Sequence, residues 1–292
     1  MLVTGIALAF IAMLSWGFGD FLVQRSTRRL GDWETLFVIT LFGTVVLLPF
    51  VWKEALALIL HPGTPALILV ASALFLTVAA VFNLEGYKKG KLSVLEPLLS
   101  FEIISASLLA FFVLGDKISW TQGVMIGTLM IGLMLVSFRE RFHLKTFFVE
   151  KGVFIFLVGG ILMGFADFLL GWGARVTDPI LANFVLNITM VIVSGIFMVA
   201  RGRAGRLFKD IASNRALILT MSVSDNLAWV AYAVAMTLVP IAVATGLSES
   251  STIIAVLLGL FINKERLQRH QKVGLFIALG SVVILAFLTT GS

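Results

Sequence analysis

Seven of the chain's 16 acidic residues stand within or at the ends of apolar runs: Asp20, Glu85, Glu96, Glu102, Asp167, Asp225 and Glu249. No lysine or arginine falls in the interior of any such run. A charge at the centre of a membrane-spanning helix costs about 2.5–3.5 kcal/mol even on the lenient insertion scale. These acids must therefore be protonated, paired, or turned toward a water-filled cavity. Without basic partners in the same runs, pairing is mostly closed to them. Protonation and cavity exposure remain, and both suit a proton-coupled or cation-binding site.

The seven are not equivalent. Glu102 and Glu249 lie near the middle of their runs, five residues after Pro97 and three after Gly246. Pro97 and Gly246 weaken a helix at matching positions, 149 residues apart, and interrupted helices at corresponding positions are the best sequence pointer to a transporter site. The competing reading is a protonated glutamate bonded to Ser100 or Ser248. Asp20 and Asp167 also match one another. Trp16, Gly17 and Asp20 share one helix face, as do Gly160, Gly164 and Asp167. For this pair the competing reading is helix packing, because Ser15-x-x-x-Gly19 and Gly160-x-x-x-Gly164 are small-residue contact patterns. Glu85 and Glu96 sit close to the basic stretch 88–91 and read as interfacial.

Other polar and aromatic residues could complete a binding site. Asp225 and Asn226 with Trp229 and Tyr232 form one stripe at spacings of four and three. Asn83 is the repeat mate of Tyr232, and Asn183 and Asn187 lie one turn apart. Aromatic rings beside carboxylates suit an ammonium-bearing or ring-bearing ligand. The candidate proton-coupling groups are Glu102, Glu249, Asp20 and Asp167. Trp33, Trp52 and Trp120 read instead as anchors at the membrane surface.

The elements that must hold these groups follow from composition. The chain has 292 residues, 59% hydrophobic and 13% charged, with a mean hydropathy of +1.05. A soluble domain carries roughly a quarter of its residues charged, so this chain is solvated by lipid. Ten apolar runs are legible, at residues 4–23, 34–52, 66–87, 92–114, 119–138, 152–174, 179–200, 216–239, 241–262 and 273–290. They are apolar on all faces, which predicts helices rather than the alternating strands of a barrel. Residues 24–30 and 201–215 read as basic loops.

Cysteine is absent, and His61, His143 and His270 all fall in connecting stretches. That disfavours thiol chemistry, a His-ligated metal site and an intramembrane enzyme, and no metal or cofactor is expected. A sequence pI of 9.8 would point to nucleic acid in a soluble protein; here the basic residues read as topology signals. No Walker-type glycine loop or soluble domain is present for an ATP-driven pump. The first basic residue, Arg25, follows the first apolar run, unlike a cleaved signal peptide.

The chain repeats itself. Gly17-Phe18-Gly19-Asp20-Phe21-Leu22 recurs as Gly164-Phe165-Ala166-Asp167-Phe168-Leu169, 147 residues on. Gly115-Asp116-Lys117-Ile118 with Gln122 matches Lys264-Glu265-Arg266-Leu267 with Gln271, 149 residues on. The expected organisation is a first five-helix repeat at 1–138, a connecting loop at 139–151 and a second repeat at 152–292. Because five is odd, fused repeats must sit upside down relative to each other. The connecting segments agree, placing 19 basic residues on one side and 3 on the other, Lys53, Lys117 and Arg175. The positive-inside rule then puts the richer side in the cytoplasm and both termini outside.

On these features the sequence resembles the ten-helix EamA-type transporters of the drug/metabolite transporter superfamily. The stretch 88–98, Lys-Lys-Gly-Lys-Leu-Ser-Val-Leu-Glu-Pro-Leu, is similar to that family's approach to its fourth helix. The turns at 115–118 and 264–267 resemble the one before the last helix of each repeat. Glu96 departs from the family's usual small residue, and Ile103 from a second proline. Many relatives keep both termini in the cytoplasm, opposite to the charge count here.

The resemblance implies secondary transport, often export of amino acids or other small metabolites. Together with the acids it predicts alternating access around a central acidic and aromatic cavity in the plasma (inner) membrane. The cargo would be a small zwitterion or organic cation, since sugar phosphates would need basic residues in the cavity. Protons are the expected coupling ion, and the chain is expected to work as a monomer or homodimer with no nucleic-acid partner. Two alternatives stand beside this reading: a non-transporting receptor or assembly subunit, and a facilitator of uncoupled flux.

Overall fold

A computed structural model describes residues 1–89, 95–137, 152–261 and 267–291. The connecting loop 139–151, the stretch 90–94 and the second turn's Lys264, Glu265 and Arg266 lie outside the described residues. So do the side chains of Glu96 and Pro97.

Among the described residues the fold is helical throughout. The first half holds α1 (Leu2–Leu30), α2 (Asp32–Leu60), α3 (Thr64–Lys89), α4 (Ser100–Leu109) and α5 (Trp120–Ser137). A 3-10 turn, Glu96–Leu99, leads into α4 and a π turn, Ala110–Leu114, ends it. The second half holds α6 (Val153–Val176), α7 (Pro179–Ala200), α8 (Ala204–Ser213), α9 (Arg215–Leu238), α10 (Ile241–Ser248), α11 (Ser251–Phe261) and α12 (Arg269–Thr290). Nine spans among the described residues are long and apolar enough to cross a membrane, with α10 and α11 counted as one, and the shorter stretch Ser100–Leu114 is a tenth apolar helix. The chain is a multi-pass membrane protein.

Three expectations are corrected. The basic stretch 24–30 is not a loop: α1 runs on to Leu30, and Gly31, at φ 112°, makes the turn into α2. The basic stretch 201–215 contains α8, whose Leu207 is buried with Leu30, Val38, Met198 and Ile218. Arg175 is not in a loop either, but in the last turn of α6.

The packing shows how the halves are related. The main helix pairs are α3 with α6, α1 with α9, α2 with α7 and α5 with α12. Exchanging the halves turns α1–α9 into α6–α3 and leaves α2–α7 and α5–α12 as they were. These two self-mated pairs are antiparallel. Trp33 at the start of α2 stacks on Phe197 near the end of α7, with ring centroids 4.4 Å apart. Gln122 Nε2 at the start of α5 donates to Thr289 Oγ1 at the end of α12, and Gln271 Nε2 donates to the Val136 carbonyl, each at 3.0 Å. A helix that meets its own mate antiparallel requires a two-fold axis in the membrane plane, so the repeats are inverted. Gln122 and Gln271 also each accept from a backbone N–H that opens their own helix, Ser119 and Gln268.

Candidate functional site

Glycine brings two of the acid-bearing helices into contact. On α6, Gly160 lies against the Leu98 carbonyl, and a Cβ at Gly164 would overlap Ser105 Oγ and the Glu102 carbonyl oxygen. Only bare backbone lets α6 approach α4 this closely, which is the small-residue packing expected between spans. One turn further on, Asp167 is carried to Glu102. The chain then breaks between α10 and α11, and the break delivers Glu249 to the same place. Carboxylate oxygens of Glu102, Asp167 and Glu249 all lie within 4.8 Å of one another.

Glu102 and Asp167 are buried and Glu249 half-buried. Asp167 Oδ2 has no hydrogen-bond partner among the described residues. Three carboxylates this close cannot all stay ionised without a counter-charge, so the cluster must hold a proton or a cation. Its donors are all oxygen, the set that hard cations and ammonium groups accept.

The helix break differs from expectation. Gly246 lies inside α10, and the interruption falls at Glu249 and Ser250, three residues later. The reason is that Gly246 has ordinary neighbours, Leu129, Ile126 and Leu285. Ser250 Oγ bonds back to the Gly246 carbonyl at 2.7 Å, which competes with helix continuation. At Pro97 the expected interruption is present: Leu95 is helical, 96–99 form a 3-10 turn, and the α-helix resumes at Ser100.

Aromatic rings adjoin the carboxylates. Trp16 meets Trp229 and Tyr232 edge-on, with centroids 5.2 Å away in each case. The Tyr232 hydroxyl bonds Thr245 Oγ1 at 2.7 Å and also lies beside Asp167. Thr245, one turn before Glu249 on the same helix face, did not stand out in the sequence, although that spacing was its signal. Asp20 is exposed, yet Asp225 and Glu249 both lie close enough to feel its charge. Acids from α1, α4, α6, α9 and the α10–α11 break thus converge. Glu85 stays near the far end of α3.

The asparagines go elsewhere. Asn187 Nδ2 donates to Asn226 Oδ1, and Asn226 Nδ2 donates to the carbonyls of Ile39 and Ser222. A Cβ at Gly43 would overlap both side chains, so this network joins α2, α7 and α9. Asn183 bonds the Pro179 carbonyl in its own first turn. Asn83 packs on Gly159, eight residues or about 12 Å along α6 from Asp167. We expect Asn226→Ala to lower stability by about 1–2 kcal/mol. Thermal unfolding in detergent would register that loss, and ligand selectivity should stay unchanged.

The model of a family described as the EamA-like transporter family matches residues 3–138 and again 150–287. No match is found among curated proteins. A crystal structure described only as that of a protein superposes with a TM-score of 0.76, over 98% of this chain and 97% of that one, at 13% identity. At that identity the likeness is one of fold.

Proposed function

The chain belongs to the EamA-like transporter family, and from that premise we propose that it is a secondary transporter exporting a small zwitterionic or cationic metabolite, an amino acid or organic amine, in exchange for protons. One observation carries the reading. Glu102 from one repeat and Asp167 and Glu249 from the other meet within 4.8 Å, beside the Trp16, Trp229 and Tyr232 rings. A carboxylate cluster can neutralise its charge with a proton or with an ammonium group. Competition between the two for one site is the simplest form of coupled exchange. The rings add an apolar, cation-accepting wall.

In this mechanism the repeats, 1–138 and 152–292, rock against each other around the cluster. An ionisable side chain in a span avoids lipid, so the exposed Asp20 marks a water-filled path from one face to Glu249. That face carries the basic surplus and would be cytoplasmic in the plasma (inner) membrane, with both termini outside. Cargo entering from it would displace the bound proton, and release on the other side would let a proton return.

Counterflow in proteoliposomes tests this with labelled neutral amino acids and organic cations, each with and without an imposed pH gradient. The expected result is accumulation of an amino acid or amine that follows the gradient. Exchange insensitive to pH would remove the proton and favour uncoupled flux, and silence across the panel would remove this substrate class.

A further inference from the structure

Arg175 and Asp116 form a polar knot at the face opposite the basic surplus. Two arginine nitrogens meet the two carboxylate oxygens at 2.5 and 3.0 Å. Arg175 Nε also donates to the Met236 carbonyl at 2.8 Å, and Nη2 to that of Val239 at 3.2 Å. The Ile241 N–H donates to Asp116 Oδ2 at 2.8 Å. The charges suit their places: the guanidinium caps the carbonyl end of α9, and the carboxylate caps the N–H end of α10.

Asp116 is delivered by a left-handed turn. Gly115, at φ 67°, ends the π turn, and the Asp116 N–H bonds back to the Ala110 carbonyl. The knot therefore joins the turn after α4, the end of α6, the end of α9 and the start of α10. These elements carry Glu102, Asp167, Asp225 and, just past α10, Glu249. The other cross-repeat ion pair among the described residues, Arg203 with Glu34 at 3.2 Å, ties α2 to the segment after α7. Neither of those helices carries a converging acid.

The two faces also differ in packing. Every residue of α10 is buried, as are Met236 and Val239. On the other side of the cluster Asp20, Arg25 and Ala255 are exposed.

We propose that the Asp116–Arg175 pair is the latch that holds this face of the transport path shut, and that its release lets the α9–α10 link swing away from the turn after α4. The latch rests on the alternating-access reading. Its bonds are polar and lie at the mouth of the path, with side-chain exposures of 11% and 25%, so water can replace them when the face opens.

The absence of cysteine supplies the test. Thr245→Cys places a reporter in buried α10, between the latch and the carboxylates. A membrane-impermeant trimethylammonium thiosulfonate is applied to right-side-out and inside-out vesicles, and no cargo need be known. The parent reporter is expected to react faster from the Asp20 face. Arg175→Gln and Asp116→Asn should each raise the rate from the Arg175 face by roughly tenfold and lower it from the Asp20 face, as a population shift requires. Arg175→Lys, which keeps the charge but not the fork of donors, should fall between. An unchanged rate from the Arg175 face in both variants, with the Asp20-face rate intact, overturns the latch. A rise from both faces reports loss of fold and overturns it equally. No reaction of the parent reporter from either face defeats the alternating-access reading itself, and the latch with it.

Discussion

Glutamine at Glu102 or Glu249 is expected to lower gradient-driven transport by at least tenfold, while Glu85→Gln changes it less than about twofold. Glutamine keeps the volume and removes only the charge and the proton site. A hydrogen bond to a charged group is worth about 1.5–3 kcal/mol, which converts to roughly tenfold to a hundredfold in an equilibrium. Carboxylate oxygens of Glu102 and Glu249 both lie within 4.8 Å of those of Asp167 inside the cluster, so losing either also disturbs what its neighbours can hold. Glu85 stands near the end of α3, away from the convergence, and already has an interaction of its own. Initial rates in proteoliposomes, with the cargo found by counterflow, give the comparison. The reverse order would place the site at the α3 end and remove the cluster from the mechanism. Asp20→Asn should give an intermediate loss, since Asp20 lines the approach without joining the three.

The spans and their duplication were legible because lipid demands them. A run apolar on all faces has few alternatives, and Pro179 after Asp178 starts α7 where expected, with Asp178 Oδ1 accepting from Ile180 and Leu181. The mated acids and the mated Gln122 and Gln271 could be read from two fixed offsets. What stayed hidden depended on contacts across the chain. Arg175 looked like a loop residue because its partner is 59 positions away. Asn187 looked like a ligand group because sequence does not show that Asn226 reaches it first, which is the usual fate of polar groups inside a bilayer. α8 is masked in the sequence by its charge, although Ala204, Leu207 and Ile211 have helical spacing. Gly246 is where the sequence predicts the break because glycine is the weakest helix former in its run, whereas Ser250 holds the alternative hydrogen bond.

Gly164→Leu should abolish transport with every carboxyl group still present. The site depends on α6 lying bare against α4, and a side chain at 164 would meet the Glu102 carbonyl oxygen and the Ala106 backbone nitrogen. These are main-chain atoms of a buried helix, so no rotamer change can make room. Even Gly164→Ala must push the helices apart, at about 1–3 kcal/mol for an overpacked contact, and leucine should exceed that. The shift acts one turn from Asp167, on the helix pair that sets its distance to Glu102. Gly123 and Gly127 on α5 supply the control, since a Cβ at either meets nothing within 4 Å. Gly127→Leu should leave both thermal stability and transport near those of the parent, and Gly164→Ala should lower both. Equal tolerance of leucine at 164 and 127 would mean that α4 and α6 need not touch in the working protein. The three carboxyls would then not act as one site, whatever the glutamine variants showed.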